Sequence, residues 1–347
     1  MRILAKIVLA LTVLTIVAWK GPWLYNSFLA DREDSPFALY SVVDSDFIYM
    51  DYVEDEGPVR YDRKGNRFTL EQTDSLLPMF FARQLMADNR FPDSIQGIAV
   101  TPEDVRDAAF TFSAKASDAN TPPVGLYPLL ESMPRRLGLE MPSDVMRFTD
   151  DGVEFIVMET NRIDWPKSRR FTEAMKAKGM TFPVKRVCGN PTTEKDYDDG
   201  YFVIDNADRL YNIRMVKSRP YVRFIDLPEG VHPQMAWLTE FPERTFLGFM
   251  ADTDHTLWLI TREGAVAHRT GVDEFDCLAD NIAIYGNLFD WTVVVSSLND
   301  QTFFAIDAKD YSRIDYQKET STGFAMPGLT FTSYTTPEVK LRITDGE

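Results

Sequence analysis

The sequence predicts a mainly β protein with α insertions, a β-propeller-like stack of about five irregular blades behind an N-terminal signal-anchor helix. Three observations carry that prediction. The chain opens on a basic and then apolar segment. Its second half is a succession of short apolar strands separated by turns rich in Asp, Asn and Gly. Taken as the first strand of each unit, the strands at Phe202, Leu247 and Val293 recur with a period of about 45 residues, the size of a propeller blade. The alternative is two stacked β-rich domains without ring closure. On either view the chain divides into an anchor over 1–29, a mixed β/α region with degenerate blades over 30–190, and a β-repeat region over 191–347.

In the anchor, Arg2 and Lys6 flank the start of an apolar run whose lipid-facing residues are Ile7, Val8, Leu9, Leu11, Val13, Leu14, Ile16, Val17 and Trp19. Positive charge ahead of an apolar segment stays on the cytoplasmic side, so the bulk of the chain is expected in the periplasm, tethered to the bacterial inner membrane. Signal peptidase requires small residues at −3 and −1, and the stretch from Trp19 to Tyr25 offers no such pair. The segment is therefore expected to be retained. Trp19, Trp23 and Tyr25 suit a membrane–water interface. The run is shorter than the roughly 20 residues of a spanning helix, a deficit that snorkelling of Arg2 and Lys6 makes up. The competing reading, a removed signal peptide, leaves the folded region in the same compartment.

Between 30 and 190, Phe47–Val53 alternates like a strand, and a turn at Asp62–Asn66 leads into Arg67–Leu70. Leu76, Leu77, Phe80, Phe81, Gln84 and Leu85 make a helical stripe, predicting one helix over 71–88 capped by Thr73–Asp74 with Pro78 near its first turn. Thr101, followed by Pro102, Glu103 and Asp104, has the composition of a second helix start. Five prolines between Ala119 and Pro142 argue against long elements there, and the apolar loop Leu126–Leu130 is expected to plug into its own core. A hairpin is expected across Met146–Met158, and a helix over 168–178 that stops at Gly179.

From Tyr201 the pattern becomes strand, polar turn, strand. The strands are placed at 201–204, 209–216, 221–225, 245–250, 256–260, 265–268, 291–296, 301–306 and 312–316. The run Leu329–Tyr334 is expected to close the ring.

A net charge of −16, with 53 acidic against 37 basic residues, disfavours nucleic acid, whose affinity comes from counterions released by Lys and Arg. Two cysteines, Cys188 and Cys277, are too few for a disulfide scaffold. They either form one bridge across a long loop or sit as buried thiols. His232, His255 and His268 lack metal-ligand spacing, and no nucleophile elbow, P-loop or dinucleotide fingerprint is present, so no catalytic, cofactor or metal residue is assigned. The run Asp196–Gly200 lacks the spacing of a calcium loop and reads as a turn. Trp237, Trp258 and Trp291 are candidate ligand-facing aromatics, against the plainer reading that they fill the space between sheets.

Three segments, Leu77–Asp88, Gly125–Ser132 and Gly189–Thr193, together with Pro22–Asn26, resemble an uncharacterised family of membrane-anchored bacterial proteins defined by a domain of unknown function. The resemblance runs along nearly the whole chain. It carries no catalytic residues, and it implies an accessory role beside an ABC-transporter permease or another envelope protein. The function expected is thus a non-enzymatic accessory, sensor or binding module. The alternative is an extracytoplasmic carbohydrate hydrolase using a carboxylate pair.

Overall fold

The computed structural model describes residues 2–28, 36–53, 56–121, 123, 125–136, 138–297, 300–320, 326, 328–332 and 340–344. After one N-terminal helix, Arg2–Phe28, the body is five antiparallel sheets of three to five strands, with short helices between them. Sheet I holds Phe37–Ser41, Asp46–Val53 and Gly57–Asp62. Sheet II holds Asp144–Phe148, Val153–Val157 and Arg162–Ile163. Sheet III holds Arg186–Gly189, Tyr201–Ile204, Leu210–Val216 and Arg219–Ile225. Sheet IV holds Pro233–Leu238, Phe246–Asp252, Leu257–Thr261 and Ala267–Arg269. Sheet V holds Asn281–Gly286, Asp290–Ser296, Asp300–Asp307 and Arg313–Thr320, and takes Phe110–Ala114 beside its first strand.

The sheets stack face to face, because each buries what its neighbour exposes. Phe202 and Ile204 of sheet III enter the large core shared with sheets IV and V, while Tyr201 and Val203 on the other face pack against Met146, Phe155 and Phe171 of sheet II and its helix. In sheet V, Val293 and Val295 face that same large core, and Val294, Phe303 and Ala305 face Ala38, Phe47 and Tyr49 of sheet I. The stacking order is therefore I–V–IV–III–II. A strand covered on both faces has no polar side to present, which is why Tyr201–Ile204 and residues 246–251 read as unbroken apolar runs. The expected blade-like stack is present, with the N-terminal sheet on the C-terminal one. Among the described residues no core cluster joins sheet I to sheet II.

Several expectations need correction. The single helix over 71–88 is two, Leu70–Leu76 and Ala82–Ala87, because Pro78 has no N–H to donate and disfavours helical backbone at Leu77. Its cap is Thr69, whose hydroxyl accepts from the Gln72 N–H while the Gln72 side chain accepts from the Thr69 N–H. The helix expected from 168 starts at Trp165, with Asp164 as cap and Pro166 in its first turn, and stops at Gly179 as expected. Phe202, Leu247 and Val293 lie on the second strand of each sheet rather than the first, and a boundary at 190 falls between the first two strands of sheet III. Gly328–Thr332 does not close the ring. It pairs with Lys340–Thr344 in a separate two-stranded sheet, and residues 333–334 lie outside the described set. The cysteines are unpaired and buried, and burial pushes the Cys188 thiol up to about 11.

One turn recurs. Asp62 and Asp252 end a strand and Asp205 directly follows one. Each accepts two backbone N–H groups with one oxygen: Asp62 from Lys64 and Asn66, Asp252 from Asp254 and Thr256, and Asp205 from Ala207 and Arg209. The third residue after each Asp is left-handed: Gly65 at φ 82°, Asp208 at 58° and His255 at 61°. The backbone geometry, not proton chemistry, defines the place of His255. His255→Gly is expected to raise stability by about 1 kcal/mol, and Gly65→Ala, which meets no steric obstacle, to lower it by about 1 kcal/mol. Urea unfolding of both variants checks this, and equal shifts of one sign would count against it.

Candidate functional site

Sheet I and sheet V are tied where the Tyr40 N–H donates to Thr292 Oγ1 at 2.8 Å. The helical insertion is tied to sheet I by the Ser41 hydroxyl, which donates to Leu76 O, and by the Gln96 amide, which donates to Val42 O. These three bodies leave a cavity of about 330 Å³ between them. Its walls include Leu39, Leu77, Pro78, Phe80, Phe110 and Tyr285, so the helix break at Pro78 supplies one side. Gly286 stands opposite Phe110 in the strand pairing, and a Cβ there would lie 2.0 Å from the Phe110 ring. Only glycine lets that ring lie across its neighbour.

The polar lining comprises Asp290, Asn287, Thr292 and Thr111. Asp290 is 1% exposed. Its Oδ1 accepts from Asn287 Nδ2 at 3.2 Å, and Asp307 faces it across the strand pair. Burial, helped by the Asp307 charge and opposed by the Asn287 bond, pushes its carboxyl up to about 7. Because this acid's pKa is raised by folding, the unfolded chain ionises first. The carboxyl thus costs no stability below about pH 4, costs progressively more as pH rises to about 7, and imposes its full penalty above that. Asp290→Asn is accordingly expected to raise Tm at pH 8, with the gain shrinking towards pH 5. A gain independent of pH would assign it to packing instead.

A larger cleft, about 970 Å³, lies where the first strands of sheets III and IV meet the added strand Phe110–Ala114. Trp237 borders it, with its ring edge-on to Phe112 at 6.1 Å. The cleft's Arg186 already donates to Ala119 O at 2.8 Å. Of the other two tryptophans, Trp258 is 6% and Trp291 2% exposed, so neither offers a face to a ligand. Trp258 Nε1 donates to Asp252 Oδ2 at 2.7 Å, and Trp291 lies among Phe110, Phe246 and Tyr311. Both fill the space between sheets.

The acidic run at 196–200 is structural. Asp199 is fully buried and receives Arg262 at 2.6 and 2.8 Å and Arg214 at 3.2 Å. Lys195 bridges Asp198 at 2.8 Å and Glu240 at 2.6 Å. Tyr197 donates to Phe241 O and lies under Arg244 and Arg262. Burial still pushes the Glu240 carboxyl up despite its Lys195 partner. The cluster joins sheets III and IV. No group of three or more His, Cys, Asp or Glu suited to a metal ion occurs among the described residues.

The anchor residues from Ile7 to Trp19 lie along the helix Arg2–Phe28, the one described helix long and apolar enough to cross a membrane. A signal sequence at an N-terminus has the same properties. At about 40 Å it is longer than the apolar run alone, because Ile3 and Leu4 before it and Trp23 and Leu24 after it extend its apolar surface. The Asn26 side chain near its end donates to Met326 O at 3.0 Å and accepts from Met326 N at 2.8 Å.

Stacked antiparallel sheets around an apolar pocket, behind one apolar helix, define a mainly β, propeller-like protein. The chain belongs to the DUF4857 family, whose model, described as a domain of unknown function, matches residues 37–306. That span runs from the first strand of sheet I into the third of the four sequential strands of sheet V. No curated protein matches the chain. Solved structures to which it is similar include the Dos1 propeller, at 12% identity and TM-score 0.31 over 55% of this chain and 46% of that one. The dihydro-heme d1 dehydrogenase NirN in complex with DHE is similar at 10% identity and TM-score 0.27, over 62% and 51%. The β-propeller domain of Cps50 (Swd1) from Myceliophteria thermophila is similar at 13% identity and TM-score 0.29, over 62% and 60%. The chain spans between 46% and 60% of the length of these structures.

Proposed function

We propose that this chain is a non-enzymatic binding module held at the bacterial inner membrane, with residues 1–29 as a retained anchor and the sheets on the periplasmic side, serving an ABC-transporter permease or another envelope protein. The observation that carries the reading is the pair of hydrogen bonds between Asn26 and Met326, which ties the end of the apolar helix to a residue 300 positions further along the chain, just before the strand Gly328–Thr332. A signal peptide released before folding has no use for such a contact. The blade-like stack supports a binding role, because rigid sheets with exposed loops present surfaces well. Its acidic surface supports a protein partner over anionic lipid or nucleic acid.

Mild crosslinking of cells producing the full chain, followed by detergent extraction, tests the partner. Specific recovery of a permease with its ATPase supports the reading. Recovery of the chain alone counts against a standing complex.

A further inference from the structure

We infer that the cavity between sheet I, sheet V and the helical insertion binds a small protonated amine carried on an aromatic or apolar body. This deepens the binding-module reading and rests on it.

The pocket has one anion, Asp290, and among the described residues that carboxylate has no ion-pair partner; Asn287, at 3.2 Å, is its one side-chain donor. The charged and titratable groups facing it make no amends. From the adjacent strand comes Asp307, a second acid, and from sheet I comes Tyr40, whose phenol is itself pushed up by burial and by Asp315 and Asp290. Elsewhere the lining is apolar or neutral, with Thr111 and Thr292 hydroxyls and the rings of Phe80, Phe110, Tyr40 and Tyr285. Aromatic faces attract a cation as the carboxylate does, and reject an anion. The volume, about 330 Å³, is at the lower end for small-molecule sites. A bare metal ion fits poorly, since no group of three potential acidic, His or Cys ligands forms among the described residues. What complements a buried carboxylate among aromatic walls is an ammonium on a body that fills the space.

The same geometry dictates the pH behaviour. An amine binds the ionised carboxyl, so affinity rises as pH passes upward through about 7. A neutral ligand would instead accept a hydrogen bond from the protonated acid and favour lower pH.

The test is calorimetry on the full chain in detergent, with 2-phenylethylamine against its neutral counterpart 2-phenylethanol, at pH 8 and pH 5.5. The amine is expected to bind about tenfold more tightly than the alcohol at the higher pH. That preference is expected to shrink at the lower pH and vanish in Asp290→Asn. Equal binding of the two probes, an unchanged preference in Asp290→Asn, or tighter alcohol binding at low pH would each overturn the ligand class. Binding of neither would overturn the pocket as a ligand site while leaving the crosslinking result to decide the partner. Should Asp290→Asn fail to fold, the pH dependence of the natural chain decides alone.

Discussion

Asp199→Ala is expected to cost about 3–5 kcal/mol, the range for removing one partner of a buried ion pair. The carboxylate is fully buried and takes Arg262 on both oxygens, with Arg214 beside it. Its removal leaves two guanidinium groups, each about three-quarters covered, facing one another without a counter-charge. A domain of ordinary stability, about 5–15 kcal/mol, would lose a large share of it. Urea unfolding measures the loss. Arg106→Ala is the control, because its pair with Glu103 is over 70% exposed on both sides and is worth well under about 1 kcal/mol. Similar losses in the two variants would mean that the network joining sheets III and IV holds nothing together.

Trp291→Ala should cost a comparable amount, about 3–5 kcal/mol for a large aromatic removed from a core. The indole has ring centroids of Phe110, Tyr311 and Phe246 at 5.2, 5.2 and 5.4 Å, and these come from three different places in the chain. Phe110 is also a wall of the amine pocket. The variant should therefore lose probe binding even in conditions where it stays folded. Thermal unfolding alongside calorimetry separates the two effects, and unchanged binding at reduced Tm would show that Phe110 holds its position without the indole.

Much of the strand order was legible because the signals are local. Apolar runs such as Tyr201–Ile204 and turns such as Asp252–Thr256 fix the hairpins within a dozen residues. Pro78 carried a local warning too: a cap at Thr69 rather than Thr73–Asp74 puts it past the first turn, where a proline ends a helix. Pro233–Leu238 and Asn281–Gly286 went unassigned because Pro, Gln, Asn and Gly dilute their apolar pattern, and partners elsewhere complete them. The pairing of Phe110–Ala114 with Asn281–Gly286 joins segments about 170 residues apart, which no window along the chain contains.

The pocket was hidden for the same reason, since its walls come from 39–42, 76–80, 109–111 and 285–292. One signal was available. Asp290 opens the mostly apolar strand Asp290–Ser296, directly between Phe289 and Trp291, and an acid so placed is either paired or in use. Asp199 gave a weaker one. Its neighbours Asp196 and Asp198 made it resemble a solvated turn, while Arg214 lay in another strand and Arg262 just past the end of a third.

The contact of Tyr40 with Thr292 spans 252 residues. Sheet I is among the first parts of the body to leave a ribosome or a translocation channel, yet the face it rests on is among the last. Until Val294, Phe303 and Ala305 arrive, Phe47 and Tyr49 have only the rings of Tyr40 and Tyr61 from their own sheet against them. Closing so long a loop delays the final docking step, and the waiting strands are exposed edges in the meantime. The early segment is thus the part of the chain most in need of protection while it is being made.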